Sequence, residues 1–294
     1  MNKPPGPDNL LFDEPALQRN LSRARAQGQL PSFLDDITAR DLADNFSTIA
    51  RRFHKIAVIA HDPSILLEAI NQSQSSTAAV TSLSPISTGG LFLNAPGLTP
   101  ESFDCIFVCG GLEWVNDLPG CLVQLRQALV PDGVLLAGML GGETFTELRQ
   151  SWLHADTEIS NGVSPRVAPF CDVRDAGSLL QRAGFALPVV DTDRLSVRYD
   201  NALALMTELK SLGLANAIAQ RRHSLTTPAA LAAACAHYDT TWQDDDGRVR
   251  ATIQIIYLTG WAPDASQQQP LKPGSARTRL ADALKVHERK LPRN

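Results

Sequence analysis

The chain has 294 residues, is 44% hydrophobic and carries a formal net charge of −4, which supplies enough apolar content for a sizeable core and no excess of positive charge to grip a phosphate backbone. Nucleic acid is therefore excluded as an expected partner. Five cysteines, Cys105, Cys109, Cys121, Cys171 and Cys235, occur without a C-x-x-C pair, and three of them sit in apolar runs, as reduced thiols used as small hydrophobes do.

Met1 to Leu11 is rich in Pro and Asn and shows neither an apolar signal core nor an Arg- and Ser-rich presequence. No run reaches the ~18 apolar residues of a membrane span, so the expectation is a cytoplasmic protein with no membrane insertion. Pro15 to Gln27 favours a helix that Gly28 breaks. A second helix follows, with Pro31 in its first turn, Asp35 and Asp36 at the positive end of its dipole, and an apolar stripe of Leu34, Ile37, Leu42, Phe46 and Ile49. This second helix is expected to lie across the sheet as a lid or N-terminal extension.

Ile56-Ala57-Val58-Ile59-Ala60 is a short continuous apolar run, the mark of a parallel strand buried on both faces. A helix from about Pro63 to Gln74, a weak strand near Ala78 to Thr81, and a strong strand from Phe103 to Cys109 come next. The helix Pro119 to Leu129 and the strand Val134 to Met139, entered through Pro131-Asp132-Gly133, complete a β-α-β alternation that implies a doubly wound, mostly parallel sheet. Thr144 to Thr157 and Val173 to Ala183 read as helices, and Pro188 to Arg198 as a strand. Asn201 to Leu212 and Pro228 to Tyr238 read as helices inserted over the sheet. Arg248 to Trp261, with Val249, Ala251, Ile253, Ile255 and Tyr257 on one face, is expected to be an antiparallel edge strand.

The segment Phe103-Asp-Cys-Ile-Phe-Val-Cys-Gly-Gly-Leu-Glu-Trp-Val-Asn-Asp-Leu-Pro, with Leu125-Arg-Gln-Ala-Leu-Val-Pro-Asp-Gly-Val-Leu-Leu-Ala, resembles the fourth and fifth strands of class I methyltransferases. Gly141-Gly-Glu-Thr-Phe-Thr-Glu-Leu-Arg, Gly162-Val-Ser-Pro-Arg-Val-Ala-Pro-Phe, Leu180-Gln-Arg-Ala-Gly-Phe and Ile256-Tyr-Leu-Thr-Gly-Trp narrow the resemblance to one branch. That branch holds bacterial relatives of the mitochondrial complex I assembly factor associated with arginine hydroxylation. The methyltransferase of biotin synthesis that acts on malonyl thioester is a more distant likeness. The resemblance implies an α/β fold: a doubly wound, mostly parallel seven-stranded Rossmann-like sheet with an antiparallel last strand and a helical insertion. It also implies a role in building respiratory complex I. The domain layout it suggests is an N-terminal helical extension (1–54), a methyltransferase-like domain (55–262, insertion about 201–240) and an extended tail (263–294).

A class I methyltransferase needs a Gly-rich turn after its first strand so that backbone can approach SAM. Here the turn is Ala60-His61-Asp62-Pro63-Ser64, without glycine, and Pro63 lacks a backbone donor. Asp62 capping a helix that has Pro63 at its first position accounts for the same residues. Between Glu68 and Glu101 there is no charged residue to meet the ribose hydroxyls or the adenine amine. SAM is therefore a doubtful cofactor; if it binds, the contacts fall on Ala60, His61, Asp62, Ser82, Asn94, Gly110 and Gly111.

Ligands meet the C-terminal ends of parallel strands in this architecture, which puts Glu113, Trp114, Asn116 and Asp117 forward. Glu113 is a candidate base or guanidinium ligand and Trp114 a stacking surface for arginine. Against this, Asp117 capping the next helix with Trp114 packed beneath it is the structural alternative. Gly142, Glu143 and Thr144 follow the next strand, Glu143 being a candidate for a cationic substrate and Thr144 for a helix cap; Arg166 offers a cation to a partner or surface carboxylate. No metal-ligand set is readable: His237-Tyr238-Asp239 places two ligand types two apart on a helix, where they do not share a face. The expectations are a protein partner with a basic or arginine-containing segment, such as a complex I subunit, with a working methyltransferase and a non-catalytic scaffold as alternatives.

Overall fold

Lys55–Ala60 forms strand β1, and every residue of it after Lys55 is buried. Its alternate side chains enter two cores: Ala57 and Ile59 join one, and Ile56, Val58 and Ala60 the other. This is why the run lacks polar alternation, since both faces are covered by helices. In the computed structural model of the protein the described residues are 10–29, 32–73, 77–87, 90–91, 98–159 and 162–268. Residues 1–263 make one compact unit and 264–294 a second.

The chain order is α1 (Glu14–Ala26), α2 (Phe33–Ser47), β1, α3 (Ser64–Gln72), β2 (Ala79–Leu83), two short strands β3 (Ile86–Ser87) and β4 (Gly90–Leu91), β5 (Phe103–Cys109) and α4 (Leu118–Ala128). Then come β6 (Leu129–Leu140), α5 (Thr146–Ile159), α6 (Val173–Arg182), β7 (Ala186–Tyr199), α7 (Ala202–Ser211), α8 (Pro228–Thr241) and β8 (Val249–Trp261). The sheet order is β2-β1-β5-β6-β8-β7. All pairings from β2 to β6 are parallel, and β8 runs antiparallel to both β6 and β7. This is the α/β, doubly wound class I methyltransferase arrangement.

Two expectations about the sheet change. Six strands rather than seven form it among the described residues; beyond β2 the chain instead makes the β3–β4 pair, a separate antiparallel hairpin. Ser, Thr, Gly and Pro dominate that stretch, and such residues favour turns over a long ladder. The antiparallel strand β8 is not the edge. It lies between β6 and β7 and is buried on both faces, so its polar-looking Thr252 and Gln254 point into the interior. The edge on that side is β7, whose burial alternates along most of its length as one wet face demands.

Helix starts also differ in detail. Ser32 caps α2, and a capping box with Asp35 closes both ends of the exchange; Pro31 lies outside the described residues. Asp62 accepts from both the amide and the hydroxyl of Ser64, at 2.8 and 2.5 Å, one position ahead of a simple cap, with Pro63 at the N-cap of α3. α2 crosses the end of β6 at Gly138, where any Cβ would run into the γ-methyl of Thr38. The Tyr257 hydroxyl donates to Asp41 on the same helix, tying it to β8. The second N-terminal helix, α2, therefore rests on the sheet, as its apolar stripe predicts.

A candidate site at the strand ends

Reversal of the winding direction between β1 and β5 leaves a crevice at their C-terminal ends, where open α/β sheets bind ligands. Here the crevice is a small cavity of about 60 Å3, room for a few waters. His61 enters it from the end of β1, Gly110, Gly111 and Glu113 from the end of β5, and Gly138, Met139 and Leu140 from β6. Leu21 of α1, and Ser32, Leu34, Asp35 and Thr38 around the start of α2, complete the near wall; Leu212 and Leu214, beyond α7, close the far side.

The local chain explains each placement. Gly110 and Gly111 both have left-handed φ, +72° and +93°, so the backbone leaving β5 reverses sharply into a short 3-10 turn, Leu112–Trp114. The reversal brings the Glu113 carboxylate back onto the Gly111 amide at 3.0 Å. Asp35 is fixed from the other direction: its Oδ2 accepts the Ser32 amide at 2.7 Å and the Ser32 hydroxyl at 2.8 Å. Its Oδ1 is left facing Gly110, 3.4 Å from where a Cβ would stand.

Burial raises the Glu113 carboxyl to about 7, against amide hydrogen bonds that oppose the shift and with the charge of Asp35 adding to it. Burial also lowers the His61 pKa; Asp35 works against this and Arg25 with it. His61 is therefore a neutral imidazole at pH 7, and its Nδ1 is sealed from solvent with no hydrogen-bond partner. His61 and Glu113 line the same cavity, and Asp35 is the charge that acts on both.

The residues present do not fit SAM by the contacts its class uses. The imidazole of His61 stands where a glycine turn would admit the cofactor backbone-first, and the capped start of α2 lies over the crevice. Ser82, at the end of β2, is exposed, uncharged and outside the cavity. Ala60 is buried as the last residue of β1 and Asp62 is engaged with Ser64; Asn94 lies outside the described residues. Of the expected cofactor contacts, those that line the cavity among the described residues are His61, Gly110 and Gly111.

The other candidates separate. Trp114 lines the cavity but is packed edge-on between Phe12, at 5.3 Å, and Phe170, at 5.6 Å. Asp117 caps α4 by accepting the Gly120 amide at 2.9 Å, and Asn116 pairs with both backbone groups of Phe12 and with Glu14, which staples the N-terminal segment to the sheet. Glu143 is on the surface in an exposed ion pair with Arg194. Thr144 is fully buried and bridges the backbone of Gln254 rather than capping α5. Gly142 lies against the carbonyls of Phe170 and Cys171. Arg166 holds the buried carboxylate of Asp156 at 2.8 Å and stacks over Trp152. His237 meets Ser151 and the ring of His154.

Asp35 and Ser32 escaped the sequence reading as site residues, because an acidic first turn after a serine is fully explained as helix capping. The available signal was the separation of one unusually acidic N-terminal turn from any strand, which says nothing about where the helix docks.

No family model matches the chain. It is 40% identical over 186 residues to the protein named Arginine-hydroxylase NDUFAF5, mitochondrial, of Dictyostelium discoideum, a stretch covering 63% of this chain and 43% of that one. The human protein of the same name is 41% identical over 187 residues, covering 64% and 54%. A malonyl-[acyl-carrier protein] O-methyltransferase of Xylella fastidiosa (strain M23) is 37% identical over 162 residues, covering 55% and 52%. The chain spans about half the length of these curated relatives. By sequence it is thus similar to proteins named arginine-hydroxylase NDUFAF5 and, at lower identity, to malonyl-acyl-carrier-protein O-methyltransferases, on a sheet of class I methyltransferase order.

Proposed function

We propose that this protein acts on an arginine side chain of a respiratory complex I subunit during assembly of that complex, working from the cytoplasm. The observation that carries the reading is the 40–41% identity to proteins named arginine-hydroxylase, over nearly two thirds of this chain. The acidic character of the strand-end cavity supports it, since a guanidinium is recognised by carboxylates. The cofactor misfit at the β1 turn weighs against the methyltransferase alternative. The partner is a basic or arginine-containing segment, and the residues proposed to meet it are Glu113 and Asp35, with His61 beside them.

The experiment is a deletion in the native host, complemented by the wild-type chain, with complex I activity and subunit masses measured together. The deletion is expected to lower NADH:ubiquinone oxidoreductase activity several-fold and to remove a mass addition from one arginine-containing peptide, both restored on complementation. Unchanged activity with unchanged peptide masses overturns the reading.

A further inference from the structure

We infer that the uncovered end of the sheet face between α2 and β7 is a docking groove for an extended basic segment of a protein partner, apart from the strand-end cavity. That the partner is a complex I subunit rests on the reading above; the charge and shape of the docked segment rest on the groove.

From Val189 onward, alternate residues of β7 share one face of the sheet. Leu195, Val197 and Tyr199 pack against the core beneath the helices, whereas Val189 is 58% exposed and Asp191 is exposed as well. The register sets Val189 beside Thr259 and Asp191 beside Tyr257 on β8, and Thr259 beside Leu136 on β6. The helix layer stops short of this end, and an open groove of about 250 Å3 remains. Leu136, Tyr257 and Trp261 make its floor; Ile49, just beyond α2, and Val189 make its walls. An aromatic floor beside an exposed aliphatic wall is the composition of an interaction surface.

Charge selects the occupant. Asp191 lines the groove and no Lys or Arg does. Two further carboxylates act on Tyr257 in the floor: Asp41 accepts its hydroxyl, and burial, that hydrogen bond and the charges of Asp41 and Asp193 together raise the pKa of the phenol. Asp41, Asp191 and Asp193 have no ion-pair partner within 4.0 Å among the described residues. Arg51 and Arg194, close in sequence to the two walls, are engaged with Asp132 and Glu143. Such a surface repels anionic lipid and nucleic acid, and disfavours a second copy of the same acidic face. It attracts Arg and Lys, whose stems cover apolar surface and whose cations stack on indole. The groove adjoins the outer edge of β7, which no other strand of the sheet pairs, so an extended segment also finds free backbone groups there.

The probe is acetyl-Arg-Leu-Arg-Leu-Arg-amide, with the Glu-for-Arg and Gly-for-Leu analogues as controls, titrated into the full chain and followed by calorimetry and by the Trp261 indole signal in NMR. The Arg-Leu peptide is expected to bind saturably and to shift that signal, and the Glu analogue to bind weaker by about tenfold or more. The Gly analogue should fall between them, and added salt should weaken the Arg-Leu peptide. Asp191→Lys and Val189→Ser, both at exposed positions, should each weaken it about fivefold with unchanged far-UV circular dichroism. Equal binding of the Glu analogue, an unmoved Trp261 signal, or unchanged affinity in both folded variants overturns the groove. So does a concentration-dependent dimer in sedimentation that Asp191→Lys disrupts, which would make the face a contact between copies. If the peptide binds as described while the deletion strain keeps complex I activity and its peptide masses, the arginine reading fails and the groove stands. If the strain loses both, and Asp191→Lys complements fully without binding the peptide, the groove fails and the reading stands.

Discussion

Glu113 shows how one residue takes its chemistry from its surroundings. A glutamate in a loop is ordinarily an anion near pH 4.5, but here burial holds the carboxyl at about 7. Between those values the folded protein keeps a proton that the unfolded chain has released, so stability falls as pH rises from about 4.5 to about 7 and stays reduced above it. Glu113→Gln removes the ionisable group while keeping an acceptor for the Gly111 amide. The variant is expected to match the wild type near pH 4 and to exceed it at pH 8 by up to about 3 kcal/mol, at about 1.4 kcal/mol per pKa unit. Urea denaturation at the two pH values reads this directly. A pH-independent difference between the two proteins would mean that Glu113 ionises in the fold as it does in water. Asp117 is the contrasting case: its role as the cap of α4 was legible in the sequence because an N-cap needs only local neighbours.

At the scale of elements, the position of α2 decides what the site contains. The acidic first turn of the helix and the stripe of Leu34, Leu42 and Phe46 that buries it could be read from the sequence, whereas the Ser32–Asp35 capping box emerges in the structure. Its docking depends on a contact between residues a hundred positions apart, the γ-methyl of Thr38 over the bare Cα of Gly138. Gly138→Ala should force α2 away from β6 and destabilise the protein by about 1–3 kcal/mol, the usual cost of overpacking. Thr38→Ser removes the opposing methyl, so the double variant is expected to recover most of that loss; midpoints of the two single variants and the double make the comparison. A double variant no more stable than Gly138→Ala would mean that the helix is positioned elsewhere, for instance by the Tyr257–Asp41 hydrogen bond.

Across the whole molecule, the five cysteines test how rigid the two cores are. Cys105 and Cys109 sit in β5 and Cys121 in α4, all buried, whereas Cys171 and Cys235 are half-exposed. Burial raises the pKa of all five thiols, which slows their reaction further. With a thiol reagent at pH 8, two groups should label in the native protein, and the other three only at the rate of global unfolding, five in all once urea is added. Rapid labelling of a third group would place a low-energy opening in β5 or α4, next to the cavity.

The sequence by itself determined the elements, the parallel core and the absence of a glycine turn after β1, because propensity, apolar runs and turn chemistry act over a few residues. Tertiary structure alone decided three things. β8 lies inside the sheet, since period-2 patterning looks alike in a half-wet edge strand and in a fully buried strand that carries Thr252 and Gln254 inward. Glu143 was sent to the surface and Arg166 to a buried ion pair with Asp156, because the partners, Arg194 and Asp156, are fixed by packing. Asp35 was brought from an N-terminal helix to face Glu113 and His61 across the strand ends, and no local rule places a helix 75 residues upstream of a loop beside it, since only the joint burial of both cores does so.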